Sequence, residues 1–455
     1  MSRRFPLGLA FNILILAAGA AAGFWISGRR QASAPAPVVP PPPESSTQPP
    51  EPGFSREQAA DEWPFFRGPS TVGLAKDGVW PTAWDAASGQ NILWTAPLPG
   101  PGKSSPVVWG NRVFVTSGAE NSQAAHCFDL ETGQRLWSSV VPAAKRDWPA
   151  QDLKVLADTG YAAPTPAVDG RRLYVTYASA DVAALEAETG RLLWSRNLGR
   201  PDSAYGLASS LVLHGNLVIL QLDRGADESA GLSSLIAMDT ATGKTVWQSA
   251  RPVPNSWSTP ILVGAGAAAR LITTAAPWVM AYDPASGREV WRARALSGDV
   301  APSAAYADGV AYVTNEYAQV AAIRADGQGD VSATHIAWTS EEGMSDASSP
   351  VCGGGFLLQA HSSGRVTCFE AAGGKLLWDK ELKGQFWASP VLAGGRAYLS
   401  SDRGVTYIFT LGPAWAEPFQ ASVGEAVYGT PAFVRGRIIL RGEKRLFCVG
   451  VKQTN

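Results

Sequence analysis

Along most of the chain, apolar and polar residues alternate in short runs that end at glycine or proline. Such runs predict β-strands with one buried face, joined by tight turns. One unit of this pattern recurs, and its first copy runs from Ser105 to Trp137. In order along the chain, the unit begins with a Ser or Thr that is usually followed by Pro, then an apolar pair and a Gly turn. An alternating apolar run follows. The unit ends with a short strand that closes on an acid and with an aliphatic–Trp pair.

The unit occurs eight times, with starts about 40 to 60 residues apart. The copies begin at Ser105, Thr165, Ser210, Thr259, Ser303, Ser349, Ser389 and Thr430. All eight begin with Ser or Thr, and six of the eight keep the Ser/Thr-Pro pair. Four short strands in each unit of about 40–50 residues are typical of a propeller blade.

The turn before the last strand of the unit has a recognisable chemistry. In five copies an acid precedes a Gly by four residues and a Trp follows that Gly by four, as in Asp129, Gly133 and Trp137. The acid can accept backbone N–H bonds at the start of the turn, and Gly supplies the positive φ at its end. The fifth copy departs, with a longer connection to Trp338, and the seventh lacks its Trp near Phe419.

The two ends of the repeat region complement each other. The eighth copy stops after Cys448, before any Trp strand, whereas Ile92-Leu93-Trp94 stands alone before the first copy. We expect this N-terminal strand to complete the last blade, because a closed ring removes the exposed sheet edges. The predicted fold is all-β: an eight-bladed propeller of four-stranded antiparallel blades, closed by an N-terminal strand and preceded by a hydrophobic helix.

The N-terminal region predicts a membrane segment. Residues 5–26 carry no charge and are flanked by arginines, and their length suits a helix that crosses a bilayer. A cleaved signal peptide, with cleavage after Ala20 or Ala22, and a buried soluble helix remain alternatives. Residues 31–53 are rich in proline and predict an extended spacer. The predicted divisions are an anchor or signal segment at 1–30, a disordered Pro-rich linker at 31–60, and a propeller at 61–455.

The amino-acid composition excludes some classes of protein function. The 455 residues are 45% hydrophobic and 17% charged, with a formal net charge of −1. This composition excludes wholesale disorder, and a sequence-independent nucleic-acid binder would need a basic excess. We therefore expect no nucleic-acid partner. The four Cys are too few for a disulfide framework in a chain of this length.

The repeat resembles that of pyrroloquinoline quinone-like, or quinoprotein-type, β-propellers of the bacterial envelope, and is similar to that of the outer-membrane assembly factor BamB family. The segment Trp63-Pro64-Phe65-Phe66-Arg67-Gly68-Pro69 also resembles the lead-in segment of many envelope members. The resemblance implies two kinds of function. One is a non-catalytic scaffold for other envelope proteins, and the other is a quinone-dependent dehydrogenase. In the dehydrogenases the quinone lies under a disulfide between neighbouring Cys, with a calcium ion held by Glu, Asn and Asp.

The cysteines depart from the dehydrogenase pattern. Cys127, Cys368 and Cys448 occupy the third strand of different copies, so we expect them to be far apart and buried as thiols. Cys352 shares a copy with Cys368, which leaves a disulfide between those two as an alternative. No adjacent Cys pair and no catalytic set is recognised. We therefore predict no catalytic residues, no resident metal and no expected cofactor, with the quinone and calcium as an open alternative.

The irregular loops predict which face carries a site. With the Ser/Thr-Pro strand innermost, the second-to-third loops and the links between blades lie on one face, and variable loops on a regular scaffold are where sites usually form. The candidate interaction residues on this face are Trp257, Trp387, Tyr428, Trp278, Tyr205, Glu316, His361 and Arg403. Trp257, Trp387 and Tyr428 sit at one equivalent position of their copies, so they either plug the central channel or anchor a ligand or partner.

Glu316 beside Asn315, with Asp402 elsewhere, has the atom types of a calcium site but no compact spacing. The predicted function is a non-catalytic envelope scaffold whose partners are other envelope proteins. Its predicted location is the bacterial cell envelope, anchored with the propeller in the periplasm or outside, or secreted after signal cleavage. The alternatives are a quinone-dependent oxidoreductase and a small-ligand or polysaccharide-binding module.

Overall fold

The structure is a computed structural model that describes residues 53–451. These residues contain 33 β-strands and three 3-10 helices, at Ala150–Asp152, Glu228–Ala230 and Gly266–Ala268, and no α-helix. The strands form eight sheets, each with four antiparallel strands, and one of the sheets has a fifth strand that pairs in parallel at its edge. The predicted membrane segment at 5–26 lies outside the described residues. Within residues 53–451, no helix has the length and apolar character needed to cross a membrane.

We number the sheets as blades 1 to 8 in chain order, and name the strands of each blade from the inside outwards. Blade 1 contains Val107–Trp109, Arg112–Ala119, Ser122–Asp129 and Arg135–Val140. Blade 2 contains Ala167–Val168, Arg172–Thr176, Asp181–Glu186 and Leu192–Asn197. Blade 3 contains Val212–His214, Leu217–Leu222, Ser234–Asp239 and Thr245–Ala250. Blade 4 contains Ile261–Val263, Arg270–Ala275, Trp278–Tyr282 and Glu289–Arg294, with Gly329–Asp330 added at its outer edge.

The remaining blades follow the same order. Blade 5 contains Ala305–Ala307, Val310–Thr314, Val320–Arg324 and Ile336–Ser340. Blade 6 contains Val351–Gly353, Phe356–Ala360, Arg365–Glu370 and Leu376–Glu381. Blade 7 contains Val391–Ala393, Arg396–Ser400, Val405–Thr410 and Phe419–Ser422. Blade 8 contains Ala432–Val434, Arg437–Arg441, Arg445–Val449 and, as its outermost strand, Ile92–Pro97.

Blade 8 is built from both ends of the repeat region. Ile92–Pro97 pairs antiparallel with Arg445–Val449, and Trp94 lies opposite Cys448 in the register. Leu98 extends the pairing through a hydrogen bond from its N–H to the carbonyl of Lys444 at 2.8 Å. The strand that stands alone in the sequence is therefore the fourth strand of the last blade.

The turn that recurs in the repeat brings neighbouring blades into contact. In blade 1, one carboxylate oxygen of Asp129 accepts the N–H groups of Glu131 and Thr132 at 3.0 and 2.8 Å. Gly133 ends the turn with φ 71°, and a Cβ there would lie 2.6 Å from the ring of Trp94 in blade 8. The Gly therefore serves two needs, a left-handed backbone and close contact with the Trp of the preceding blade.

Two copies depart from the pattern, and the structure shows what replaces it. The long connection in the fifth copy contributes Gly329–Asp330, which pairs in parallel with the outer strand of blade 4. In the seventh copy, which has no Trp in its fourth strand, Trp415 from the preceding loop packs against Trp378 of blade 6 with ring centroids 5.1 Å apart. Each variation still covers an outer strand of the preceding blade.

The lead-in segment, residues 54–76, crosses the face that carries the tight first-to-second turns. Its hydrogen bonds reach main-chain groups beside the inner strands of seven blades, at Val108, Val168, Gly215, Leu262, Ala304, Pro350 and Leu392. The guanidinium of Arg67 is fully buried and binds main-chain oxygens, and burial lowers the pKa of Arg67 to about 9. The segment therefore links most of the blades to one another across the face that carries the first-to-second turns.

Residues 54–60, which precede the predicted propeller boundary at residue 61, also make contacts in the structure. Phe54 donates its N–H to Gly215 at 2.9 Å, and its ring lies 5.4 Å from that of Phe65. Ala59 is fully buried. Two of the residues that the sequence assigns to the linker are therefore packed: the ring of Phe54 lies against Phe65 and Trp109, and Ala59 is buried.

Candidate functional site

A ring of hydroxyl groups surrounds the axis of the propeller. The N–H of Ser105 donates to Oγ1 of Thr165 at 3.0 Å, and the N–H of Thr165 donates to Oγ of Ser210 at 2.9 Å. The same bond links each following Ser or Thr to the next, through Thr259, Ser303, Ser349, Ser389 and Thr430. These seven bonds explain why the copies after the first begin with Ser or Thr, and they fix the order of the blades around the axis.

These eight residues encircle an axial cavity of about 380 Å³, which we call the funnel. Phe66 of the lead-in segment lines it together with the hydroxyl ring. The mouth is formed by links between blades and by the second-to-third loop of blade 5, on the face that the loop pattern predicts. Small-molecule pockets typically enclose about 300–1,000 Å³, so the funnel suits a small ligand or a few side chains.

A second ring lies above the hydroxyls, at the position two residues before each Ser or Thr. All eight members line the funnel: Lys103, Ala163, Ala208, Trp257, Ala301, Ala347, Trp387 and Tyr428. The three aromatic residues predicted from their equivalent positions therefore do meet at one mouth. The four alanines leave space between them, so the aromatic rings wall the funnel without filling it.

The aromatic side chains of the second ring have different packing and hydrogen-bond partners. The indole nitrogen of Trp257 donates to Oγ of Ser203 at 3.0 Å, and its ring packs edge-on against Tyr205 with centroids 4.9 Å apart. Tyr428 lies under the ammonium of Lys103, 4.5 Å from its ring centroid. Burial raises the pKa of Tyr428, as do the nearby carboxylates. Trp257, Trp387 and Tyr428 are all half-buried, so part of each ring faces the open funnel.

The mouth carries more negative than positive charge. Asp158, Asp299, Glu316 and Asp346 line it, against the single cation Lys103. Burial lowers the pKa of Lys103, while the charges of Asp158 and Glu443 oppose that effect. Three of the acids are exposed and Asp346 is half-buried. The site is therefore acidic at neutral pH.

His361 joins two of these acids at the rim. Its Nε2 lies 3.7 Å from Oε1 of Glu316 and 3.8 Å from Oδ2 of Asp346. These three residues could together hold a metal ion. However, Nδ1 of His361 accepts the backbone N–H of Ser363 at 3.0 Å, which places the ring proton on Nε2. In this arrangement His361 presents a donor to both carboxylates rather than a lone pair to a metal.

The structure separates some residues that the sequence grouped. Tyr205 and Glu316 line the funnel with the three aromatics, and His361 lies beside it. Arg403 lines a different cavity, together with Asp402. Trp278 lies under the guanidinium of Arg292, 5.3 Å away, and is not among the residues that line the funnel.

The suggested pairing of Glu316 with Asn315 and Asp402 is not formed. Asn315 is fully buried, and its side chain holds main-chain groups of Ser297 and Asp299. The carboxylate of Asp402 accepts the N–H of Gln385 at 2.7 Å, in the neighbouring cavity. Glu316 instead meets Asp346 and His361, because the link into blade 6 and the second-to-third loop of that blade come together there.

The funnel is also lined by five residues that the sequence did not predict: Lys103, Asp158, Asp299, Asp346 and Phe66. Lys103 had a usable signal, since it occupies the same position of its copy as Trp257, Trp387 and Tyr428. Asp299 and Asp346 stand four and three residues before the Ser that begins their copies. Asp158 and Phe66 lie outside the repeat register, so no spacing rule points to them.

The cysteines stand as predicted. All four are free and buried, and burial raises the pKa of Cys127, Cys352, Cys368 and Cys448 to about 12 in each case. Cys127, Cys368 and Cys448 occupy third strands of blades 1, 6 and 8. The Cys352–Cys368 disulfide, left open by the sequence, is not formed.

Comparison with known proteins places the chain in a family. The family profile described as “Outer membrane protein assembly factor BamB” matches residues 74–146, 121–276, 275–334 and 329–411. The chain belongs to this family. Its ring is a quinoprotein-like propeller, as the repeat predicts.

Solved structures share the fold at low identity. The chain is similar to BamB from Moraxella catarrhalis, with 17% identity and a TM-score of 0.57 over 80% of this chain and 98% of that one. It is also similar to quinohemoprotein alcohol dehydrogenase from Comamonas testosteroni, with 13% identity and a TM-score of 0.61 over 87% and 82% of the two chains. At these identities the likeness shows the fold alone.

Curated relatives match over shorter stretches. A polyvinylalcohol dehydrogenase from Sphingopyxis sp. (strain 113P3) is 25% identical over 166 residues, which are 34% of this chain and 23% of that enzyme. The matches span 23% to 38% of the length of the curated relatives. The matched proteins thus include both an assembly factor and dehydrogenases, and the family alone does not choose between these functions.

Proposed function

We propose that this protein is a non-catalytic propeller of the bacterial envelope that acts as a protein-interaction scaffold, with the mouth of the funnel as its docking site. The observation that carries the proposal is the meeting of Trp257, Trp387 and Tyr428 around one open cavity. Half-buried aromatic side chains beside a pocket are the usual anchors of protein interfaces. Membership of the BamB family supports the same function.

The N-terminal segments complete the proposal. An uncharged segment at residues 5–26 would anchor the chain in a membrane, and the proline-rich segment after it would hold the ring away from the surface. The propeller would then stand in the periplasm or outside the cell. Cleavage of the N-terminal segment would instead give a secreted propeller with the same docking face.

The second candidate is a pyrroloquinoline quinone-dependent oxidoreductase, which the likeness to named dehydrogenases favours. The residues of the funnel do not fit that cofactor. The quinone is a tricarboxylate, and the described residues that line the funnel offer one ammonium group, on Lys103, to pair with its three carboxylates. The four Cys are also free, so no disulfide covers the funnel.

Site-specific photo-crosslinking tests the scaffold. A photoreactive amino acid replaces Trp387 at the mouth, and a matched control replaces Val140, which is 77% exposed on the outer strand of blade 1. In cells of the native host, we expect position 387 to give a crosslinked product whose peptides identify one envelope protein, and position 140 to give none. No product at 387, or equal products at both positions, would contradict the docking site.

A thermal-unfolding assay tests the oxidoreductase. A ligand at a hundredfold excess over its Kd stabilises a protein by about 2.7 kcal/mol. We expect pyrroloquinoline quinone with Ca²⁺ to leave the melting temperature of the full chain unchanged. A clear upward shift, followed by dye reduction with an alcohol as substrate, would support the enzyme instead.

A further inference from the structure

The charge and the aromatic residues of the mouth are not spread evenly around the ring. Trp257 precedes the inner strand of blade 4 and Trp387 precedes that of blade 7. Between them, blades 5 and 6 bring Asp299, Glu316 and Asp346 to the rim. The hydroxyl ring fixes this order, since Thr259, Ser303, Ser349 and Ser389 are linked in succession. The result is an acidic recess with an indole on each side.

Alanine leaves this recess open. In the second ring, the two positions between Trp257 and Trp387 are Ala301 and Ala347, which carry the smallest side chain that a non-glycine residue can have. The only cation of the mouth, Lys103, lies on the other side of the ring, over Tyr428. No described Lys or Arg side chain therefore lines the recess.

Two of the three carboxylates in the recess are available to bind a group from a partner. The carboxylate of Asp299 makes no hydrogen bond or ion pair with residues 53–451. The main-chain oxygen of Asp299 accepts a hydrogen bond from the side-chain amide of Asn315. Oε1 of Glu316 is 3.7 Å from His361, and its side chain is 44% exposed. Asp346 is engaged by Ser362 and by the N–H of Ala347. Asp299 and Glu316 are the two carboxylates that are open to a bound group.

We propose that the recess binds an arginine side chain presented by a loop of the partner protein. This inference rests on the proposed scaffold function and names the chemistry of its partner. A guanidinium stacks on aromatic faces and pairs with carboxylates through its planar fork, and the recess offers both at once. A lysine ammonium would satisfy the charge but not the stacking, so arginine is preferred.

A pair of near-identical probes tests the charge. N-acetyl-arginine amide and N-acetyl-citrulline amide have almost the same shape, but only the first carries a cation. We expect the full chain to bind the arginine probe about tenfold more tightly in calorimetry, with the difference falling as salt rises. Equal binding of both probes would overturn the proposal.

Variants locate the binding. Ala347→Trp fills the recess, and Val140→Trp introduces the same residue on the outer strand of blade 1, where Val140 is 77% exposed. The double variant Asp299→Asn/Glu316→Gln removes the open charges. We expect Ala347→Trp and the double variant to weaken arginine-probe binding about tenfold or more, and Val140→Trp to leave it unchanged. Unchanged binding in Ala347→Trp and the double variant, or an equal loss in Val140→Trp, would place the probe elsewhere and overturn the proposal.

Crosslinking separates this proposal from the scaffold function. With the photoreactive residue at position 387, a product whose partner peptide contains an arginine needed for crosslinking supports both. A product that persists when every arginine of that peptide is replaced keeps the scaffold and overturns the arginine. Probe binding without any protein product would show a site for small cations, and would overturn the commitment to a protein partner.

Discussion

The indole nitrogen of Trp94 donates a hydrogen bond to the main-chain oxygen of Leu130 at 2.8 Å. Trp94 lies in the outer strand of blade 8 and Leu130 in the turn of blade 1, so this bond joins the last blade to the first. The same bond joins other neighbouring blades, from Trp137, Trp194, Trp291, Trp338 and Trp378. The contact between the two ends of the repeat region is therefore an ordinary inter-blade contact.

Replacing Trp94 with Ala should destabilise the propeller strongly. Its side chain is 8% exposed, and it fills the space beside Gly133 as well as making the bond to Leu130. Removing a large buried aromatic side chain typically costs about 3–5 kcal/mol in the free energy of unfolding. Urea unfolding followed by circular dichroism measures the change.

Trp247 provides a control for the hydrogen bond alone. Its indole nitrogen is buried without a hydrogen-bond partner among the described residues, although its ring packs on Gly287 in the same way. Trp137→Phe removes a bond, and Trp247→Phe does not. We expect the Trp137 variant to lose about 1 kcal/mol more than the Trp247 variant. An equal loss in both would show that ring packing alone joins the blades.

The turn glycine beside Trp94 should resist substitution. Gly133 has φ 71°, and a Cβ would lie 2.6 Å from the indole, whereas Gly110 has φ 55° with nothing within 4 Å of its added Cβ. Gly110→Ala should cost about 1–2 kcal/mol through backbone strain. Gly133→Ala should cost more, because the Trp must also move. Similar losses from both substitutions would contradict the close packing of Gly133 and Trp94.

The thiols should be inert in the folded protein. Burial raises the pKa of all four to about 12, and the thiolate is the reactive form. We expect Ellman's reagent to detect no thiol at pH 8 in the folded full chain and all four after unfolding in guanidinium without reductant. Fewer than four thiols after unfolding would reveal a disulfide, and rapid reaction before unfolding would contradict their burial.

His126 should make the propeller sensitive to acid. Burial, with the charges of Arg441 and Arg135, lowers the pKa of His126 to about 4 from an ordinary 6.5. The unfolded chain then binds the extra proton first as pH falls, so this contribution is present above about pH 6.5 and is lost between about 6.5 and 4. His126→Gln should flatten that part of the stability curve. Identical curves for the variant and the unaltered chain would contradict the lowered pKa.

The fold could be predicted from sequence because its contacts repeat. The Ser or Thr at seven of the eight starts donates its N–H to the next copy, and the Gly of most turns packs against the Trp of the preceding blade, so these residues of the pattern have partners in the neighbouring copy. The role of Phe54 could not be predicted in this way. Its partners, Phe65, Trp109 and Gly215, lie in different parts of the chain and follow no period.

The site could be predicted only where it follows the repeat. Trp257, Trp387 and Tyr428 share one register position, and the ring places that position at the axis. The acids of the recess come from links and loops of unequal length, so their meeting depends on how each loop folds over the mouth. His361 beside Asp346 is such a case, since the contact is made between a link and a loop of blade 6.

The size of the native complex shows whether a partner protein docks at the mouth of the funnel. The full chain, the double variant Trp257→Ala/Trp387→Ala and the control Val140→Ala are compared by native gel after mild extraction of the envelope, with thermal unfolding to show that each variant is folded. We predict that the unaltered chain and the control migrate within a large complex, and that the folded double variant migrates alone. A folded double variant that stays in the complex would contradict the account.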